Sequence, residues 1–402
     1  MDLAYDDQGN RTRLSWLAAK GVKVWGPERV YVSDEVQLNR IVPGAVLMNA
    51  NISGATTFIG AGAQIGTSGL ARIHEVQVGR SVVLGAGSYQ HCVLLNGASV
   101  RGFAEFRQGT VLEETAEAGH NVGFKNTVLT VGAVAGSSVN FCDVLLSGGS
   151  SRNDHSEIGS GVVHFNFDPR GDKFGSLMGD AAGCLLRSPR IFIGGNSGIV
   201  APVHLDFGAV VAAGSTLRHD VSQNQLSGGD PVAQSSEYST DRYYDLSRKF
   251  SATAKLVGNL HALRAWYRYV RREGADSDTG LLYVSAEQEI DRHLKHRTSE
   301  LAKVVQKLET SLSSPRRSER DKAFDEQHRT LLEKREHISS LLLREDYAKA
   351  PVIFLAEYLE NRRTREHVDS VRDVSTEASR VAVQWIREIA SQPYIQMRAL
   401  FT

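Results

Sequence analysis

No stretch of the sequence approaches the roughly 20 consecutive apolar residues that a membrane-crossing helix needs, so no membrane partner is expected. The N-terminal stretch MDLAYDDQGNRTRLSWLAAKG lacks the apolar core of a secretory signal. Charge of either sign is not in excess: 46 Lys and Arg face 46 Asp and Glu, for a formal net charge of zero. A balance of this kind gives no general attraction to nucleic acid or to anionic lipid. Cysteine is scarce. Cys92, Cys142 and Cys184 are odd in number and far apart, which gives neither a disulfide framework nor a zinc spacing. The expectation is a cytoplasmic protein without a metal.

What remains is ordinary globular material, 41% hydrophobic and 23% charged over 402 residues, enough for two or three domains. Glycine is plentiful, at 37 residues, and the glycine-rich stretches lie before about residue 230. In that half apolar residues recur every six positions. One series is Ile193, Ile199, Leu205, Val211, Leu217; a longer one is Leu94, Val100, Phe106, Leu112, Ala118, Phe124. Shorter runs join Ile59 to Ile65 and Val78 to Leu84. A period of six is not helical. It fits a triangular coil in which each hexapeptide makes one short flat face, one aliphatic side chain per face fills the axis, and glycine eases the corners. The reading is mainly β, a left-handed parallel β-helix of hexapeptide repeats, an exception to right-handed crossovers. The competing reading, a β-sandwich of many short strands, does not account for inward positions held in register.

The organisation read from the chain is an N-terminal cap over 1–35, the β-helix over 36–221, a polar linker over 222–250 (SQNQLSGGDP, QSSEYST) and an α-helical domain over 251–402. Leu256, Leu260, Leu263, Tyr267 and Val270 follow helical spacing. Leu294, Leu301 and Leu308 repeat every seven residues. A break at SSPRRS, around Pro315, precedes a second long helix from Glu319 to Arg344, predicting a long helical hairpin. A last stripe runs Val371, Val374, Ala378, Val381, Trp385. The basic clusters RYVRR and ENRRTR read as solvated faces. The helical half is expected to cap the C-terminal end of the coil, where an uncovered solenoid would expose its core.

One stretch breaks the rhythm. HSEIGSGVVHFNFDPRGDKF, from His155, opens as a hexapeptide rung and then runs into asparagine, aspartate, proline and lysine. Either a surface loop or the wall of a site interrupts the coil there.

The segments GSGVVHFNFD, DKF, MGD and IFIGGNSGIVAPVHLDFGAVVAAGSTLRHDV, with FAEFRQGTVLEETAEAGHNVGFKN upstream, resemble the acetyltransferase domain of the bifunctional glucosamine-1-phosphate acetyltransferase/N-acetylglucosamine-1-phosphate uridylyltransferase family. The likeness spans roughly Phe103 to Val221. The glycine-rich GxGTRM-type loop of that family's uridylyltransferase half is absent from this sequence, and the helical half has no counterpart in the family. The resemblance implies an amino-sugar phosphate or nucleotide-linked amino-sugar as acceptor, acetyl-CoA as co-substrate, and a homotrimer with its cleft between subunits. It places Arg107 and Lys125 where the family grips phosphate, a task suited to two cations on adjacent rungs. Asn140, Asn166 and Lys173 fall on acceptor-site positions, Gly195 and Ala213 on coenzyme-contacting ones. Corner charges and plain rung turns are the competing explanations.

One departure bears on the chemistry. Where the family has the histidine that takes the proton from the amine, this sequence, AGSSVNFCD, has Ser137, and a serine at its ordinary pKa cannot be that base. Six extra residues before HSEIGSG bring in Asp154 and His155, a carboxylate beside an imidazole and hence a candidate replacement base. An exposed turn is the alternative for His155. His164 falls on an inward position and reads as a core histidine; His120 is a weaker candidate. The non-catalytic alternative is a sugar-phosphate- or sugar-nucleotide-binding β-helix, or a trimeric scaffold, that kept the phosphate grip and lost the base.

Overall fold

The computed structural model describes residues 7–228, 241–314 and 318–401. The middle of the polar linker and the break at Pro315 therefore lie outside the described residues. The first half is a parallel β-solenoid of about 11 turns, in keeping with the left-handed β-helix. Its first face is an 11-stranded parallel ladder from Lys23–Val24 to Leu226–Ser227. A 16-stranded sheet forms the second and third faces. It is continuous around their shared corner where Gly123–Leu129 and Asn140–Leu146 pass from one face to the next. Asn126 and Asp143 make that corner with left-handed backbone, φ 47° and 66°, a conformation that Asn and Asp tolerate better than most residues.

The six-spaced residues fill the axis. Leu94, Val100, Phe106, Leu112, Ala118 and Phe124 are at most 1% exposed, and Ile193 to Leu217 at most 2%. Aromatic rings follow one another where one inward position repeats: Tyr89 meets Phe106 edge-on, Phe106 stacks on Phe124, and Phe141 and finally His164 continue the column. Helix α1, Asp7–Ala19, buries Leu14 and Leu17 against this core. Its Asn10 and Arg13 bond the backbone of Val30 and Val32, covering an edge strand that would otherwise offer free pairing groups.

The helices of the second half are α2 (Ser247–Trp266), α3 (Ser277–Ser313), α4 (Glu319–Lys322), α5 (Asp325–Glu333), α6 (Arg335–Leu342), α7 (Val352–Arg362), α8 (His367–Arg372) and α9 (Thr376–Arg398). The hairpin forms, but its second limb is three short helices, α4 to α6, of which α5 and α6 pack back on α3. The stripe from Val371 to Trp385 is split by a new start at Ser375, whose side chain caps α9. In α9 it is Ala382 rather than Val381 that is fully buried. Helices α2 and α9 approach so closely that a Cβ at Gly258 would overlap the Ala390 carbonyl.

Placement of the helical half departs from expectation. Among the described residues it does not sit on the C-terminal end of the coil; it lies along the third face. The outward residues there, Phe58, Val93, Val111, Val128, Leu145 and Leu177, are buried in one apolar cluster with Leu256, Leu260, Leu294 and Leu301. Each such side chain contributes about 1.5–3 kcal/mol on burial. A face covered on both sides reads as unbroken apolar runs, and the third-face strands do so: Cys92–Leu94, Thr110–Leu112 and the second halves of the two long strands are buried throughout.

One arginine of each basic cluster departs from the expected solvated face, while Arg272, Arg363 and Arg365 keep it. A π-helical turn, Tyr267–Arg271, ends α2 and carries Arg271 inside, fully buried. Arg362, in ENRRTR, has a side chain only 7% exposed.

Candidate functional site

Helix α3 runs along the corner between the second and third faces. Glu289 accepts a hydrogen bond from the Gly109 amide at 2.7 Å. Eight residues on, about 12 Å along a helix, Arg297 meets Asp143 at 3.2 Å. That is two rungs further along the coil, about 10 Å. Lys307 reaches Asp172 at 2.6 Å. The coil and this helix enclose a cleft of about 560 Å³, lined among others by Arg107, Lys125, Asn140, Asn166, Lys173 and His296.

Register explains how residues so far apart in sequence meet. Lys125 pairs with Cys142, one rung from Phe106, which Arg107 follows; Gly123, Asn140 and Val163 form the neighbouring column. The five residues assigned to substrate by resemblance thus line a single cleft on the second face. Arg107 is exposed and Lys125 half-buried. Cys142 lies on the rung beyond Lys125, and Arg107 reaches toward it, with Nη2 3.7 Å from its sulfur. Burial and the Asp143 charge push its thiol up, against the pull of Arg107, Lys125 and Lys173.

Asp143 is the fixed point of the wall. It is 1% exposed. Asn126 Nδ2 donates to its Oδ1 at 3.0 Å and Asn166 Nδ2 to its Oδ2 at 2.6 Å. Burial opposes ionisation of this carboxyl, yet Arg297, the histidines of α3 and the Asn126 bond hold it below the ordinary range. Arg297 is the decisive charge, because burial drives His293 down to about 3 and keeps it neutral.

The broken rung is a loop held at several points. Phe167 bridges Lys173, and Asp168 Oδ1 accepts from the amides of Arg170 and Asp172. Arg297 donates to the Lys173 carbonyl, Lys307 pairs with Asp172, and the Tyr243 hydroxyl donates to Asp172 at 2.8 Å. The helical half grips the loop that forms the site's far wall.

The structure does not bring every expected residue there. Ser137, Gly195 and Ala213 lie on the corner between the first and second faces, where Gly119, Gly136, Gly159 and Gly194 leave room for the next rung. Ser137 is engaged in that stack: its Oγ accepts from the His120 amide, and its own amide donates to Ser160 Oγ. His155 and Asp154 stand elsewhere, in a short antiparallel hairpin between the third and first faces, and neither lines the cleft. Their side chains have separate partners. Asp154 accepts from Ser150 at 2.8 Å, while His155 Nδ1 lies 2.8 Å from the Arg152 carbonyl. His164 is buried with Nε2 2.8 Å from Ser176 Oγ, pushed down to about 4 chiefly by that burial.

Sequence reasoning missed Asp143, His293, His296 and Arg297. The signal was present: the three residues of α3 are spaced i, i+3, i+4 and so share one face, between Glu289 and Glu300, on a helix otherwise read only for its leucines.

No family model matches the chain. The bifunctional protein GlmU of Pseudomonas entomophila is 33% identical over 211 residues, 52% of this chain and 42% of that protein. That of Stutzerimonas stutzeri is 32% identical over 214 residues, 53% and 43% of the two chains. That of Thermosipho melanesiensis is 28% identical over 213 residues, 52% and 42%. The chain thus spans about two fifths of the length of these curated relatives. The motifs between Phe103 and Val221, the coil and these comparisons converge: the β-solenoid is similar to part of the bifunctional protein GlmU and is consistent with the fold of hexapeptide-repeat transferases.

Proposed function

We propose that this chain is an acetyl-CoA-dependent N-acetyltransferase acting on an amino-sugar phosphate or a nucleotide-linked amino-sugar, working as a homotrimer in the cytoplasm. The observation that carries the reading is the convergence of Arg107, Lys125 and Lys173 with Asn140 and Asn166 on one cleft, whose buried carboxylate is already neutralised by Arg297. Such a lining suits an anion flanked by hydroxyl and amide groups. In this reading Arg107, Lys125 and Lys173 hold the phosphate and the two asparagines orient the sugar. The corner carrying Gly195 and Ala213 lies along the coenzyme. The amine nitrogen attacks the thioester carbonyl, and preorganised N–H groups stabilise the oxyanion.

Ser137 favours a second reading, a sugar-phosphate-binding β-helix without turnover, because its hydroxyl belongs to the corner stack. The two separate on one assay. The protein is incubated with acetyl-CoA and a panel of amino-sugar phosphates and nucleotide-linked amino-sugars, and thiol release is followed. Turnover with any of them supports the enzyme. Sugar-phosphate binding by calorimetry, with no thiol release and no coenzyme binding, supports the binding protein. Sedimentation as a monomer at micromolar concentration counts against the trimer.

A further inference from the structure

We infer that His296, contributed by the helical half, is the proton acceptor for the attacking amine, with Asp143 as its orienting carboxylate. The inference rests on the acetyl-transfer reading and names the base that Ser137 cannot be.

Two histidines line the cleft, His164 and His296. His164 is 4% exposed and tied to Ser176. His296 keeps a side chain 20% exposed, with Nε2 3.6 Å from Asp143 Oδ1, and forms no hydrogen bond among the described residues. An imidazole beside a fixed carboxylate, and otherwise free toward a cleft, is the arrangement general-base catalysis needs. Asp143 is well fixed, being tied to Asn126, Asn166 and Arg297. In the step itself the amine nitrogen bonds to the acetyl carbon and the carbon–sulfur bond breaks. The amine proton passes to His296, and coenzyme A departs as the thiolate that this proton then neutralises.

The charges facing His296 give the proposal a distinctive consequence. From the coil they are Asp143 and Lys125; from α3 they are Arg297 and Glu300, with neutral His293 behind Asp143. Burial, then Arg297 and Lys125, push the imidazole down to about 4 against Asp143 and Glu300. A phosphate bound on Lys125 cancels one of the depressing charges. The base therefore becomes stronger when an anionic acceptor occupies the cleft, and the acid limb of kcat lies at higher pH than that of kcat/KM.

The test uses the full chain, acetyl-CoA and glucosamine 1-phosphate, extended to whichever acceptor turns over. His296→Asn and His296→Ala should lower kcat roughly 100- to 10,000-fold, with coenzyme and sugar-phosphate affinities within about twofold of the parent. Added imidazole should restore part of the His296→Ala rate, which a merely structural role would not allow. Unfolding midpoints of both variants control for loss of fold. Separately, the His296 imidazole resonance of the parent protein should titrate at higher pH with saturating inorganic phosphate than without it. Turnover undiminished in His296→Asn, or lost in His155→Asn instead, overturns the assignment and leaves the acetyl-transfer reading standing. No turnover by the parent with any acceptor sinks that reading, and this inference with it.

Discussion

Arg271 and Arg297 are both buried arginines of the helical half set against carboxylates of the coil, yet one closes a joint and the other walls a cleft. Arg271 is completely enclosed. It meets Glu114 through two nitrogens at 2.9–3.0 Å and Glu113 at 3.1 Å. The rings of Tyr267 and Tyr283 lie 4.7 and 5.0 Å from its guanidinium. Their hydroxyls donate to Glu113 and Glu114. Arg297 forms its ion pair with Asp143, which it shares with two asparagines, and histidines stand where the other cluster has tyrosines. The same ion pair thus serves two purposes, according to whether aromatic rings seal it or a polar cleft opens beside it.

The sharpest way to break the comparison is to remove each arginine's charge. Arg271→Ala leaves Glu113 and Glu114 buried together without a cation. The expected loss is about 3–5 kcal/mol, the usual cost of orphaning a buried charge, read as a fall in the denaturant midpoint with the helical half more open to proteolysis. Converting both glutamates to glutamine in that background should recover much of the loss. An unchanged midpoint in Arg271→Ala would show that apolar contacts on the third face hold the halves together unaided.

Acid should then separate the two clusters, because their carboxyls are shifted in opposite directions. Asp143 is held below its ordinary value, near 3.8. Its contribution to stability is present above that value and disappears as the pH falls through the lower, folded-state value. Glu113 is pushed up by burial, and by Glu114, against Arg271. A carboxyl raised in the folded state favours folding at low pH and opposes it as the pH rises. Acidification below about 3.8 should therefore loosen the Arg297 wall while sparing the Arg271 joint. Asp143→Asn should cost up to about 3 kcal/mol at neutral pH and should flatten the acid limb of the stability curve. Hydrogen exchange along α3 at pH 3 should show faster opening near Arg297 than near Tyr283. Equal protection at the two places would contradict the asymmetry.

The sequence disclosed the two structures unequally. Inward positions of the coil were legible because the repeat forces one side chain per six residues onto the axis, and Phe106, Phe124 and Ile193 could go nowhere else. The third face was equally written, in the apolar pairs at Val93–Leu94, Val111–Leu112 and Val128–Leu129, but six-residue spacing counts only one member of each pair. Hence the lateral docking was missed. Arg107, Lys125, Asn140, Asn166 and Lys173 were singled out by resemblance, and they line one cleft because each sits in a segment that the coil holds in register. His296 and Arg297 were not, because a helix joined through a linker can be set against any face, and nothing local to α3 names Asp143 as its neighbour. Arg271 in RYVRR misled for the same reason: an arginine in a basic run looks solvated until its carboxylates, Glu113 and Glu114, arrive from a distant rung.

The smallest effect on the fold should come from the cations that face the open side of the cleft, and there the comparison turns from stability to binding. Arg107 is exposed and Lys125 half-buried, and among the described residues neither has a buried carboxylate as partner in the way Arg271 and Arg297 do. Replacing either with alanine should move the unfolding free energy by no more than about 0.5 kcal/mol. The cost should appear instead in ligand affinity, about 1.5–3 kcal/mol for a charge-assisted hydrogen bond to phosphate. Calorimetry with glucosamine 1-phosphate measures it directly, with glucosamine as the uncharged-group control. The loss should be confined to the phosphorylated ligand and should shrink with added salt, since a surface cation is screened where a buried one is not. Equal weakening of both ligands would mean that Arg107 and Lys125 shape the cleft rather than grip an anion. A large loss of stability would mean that they belong with Arg271 and Arg297 as parts of the framework.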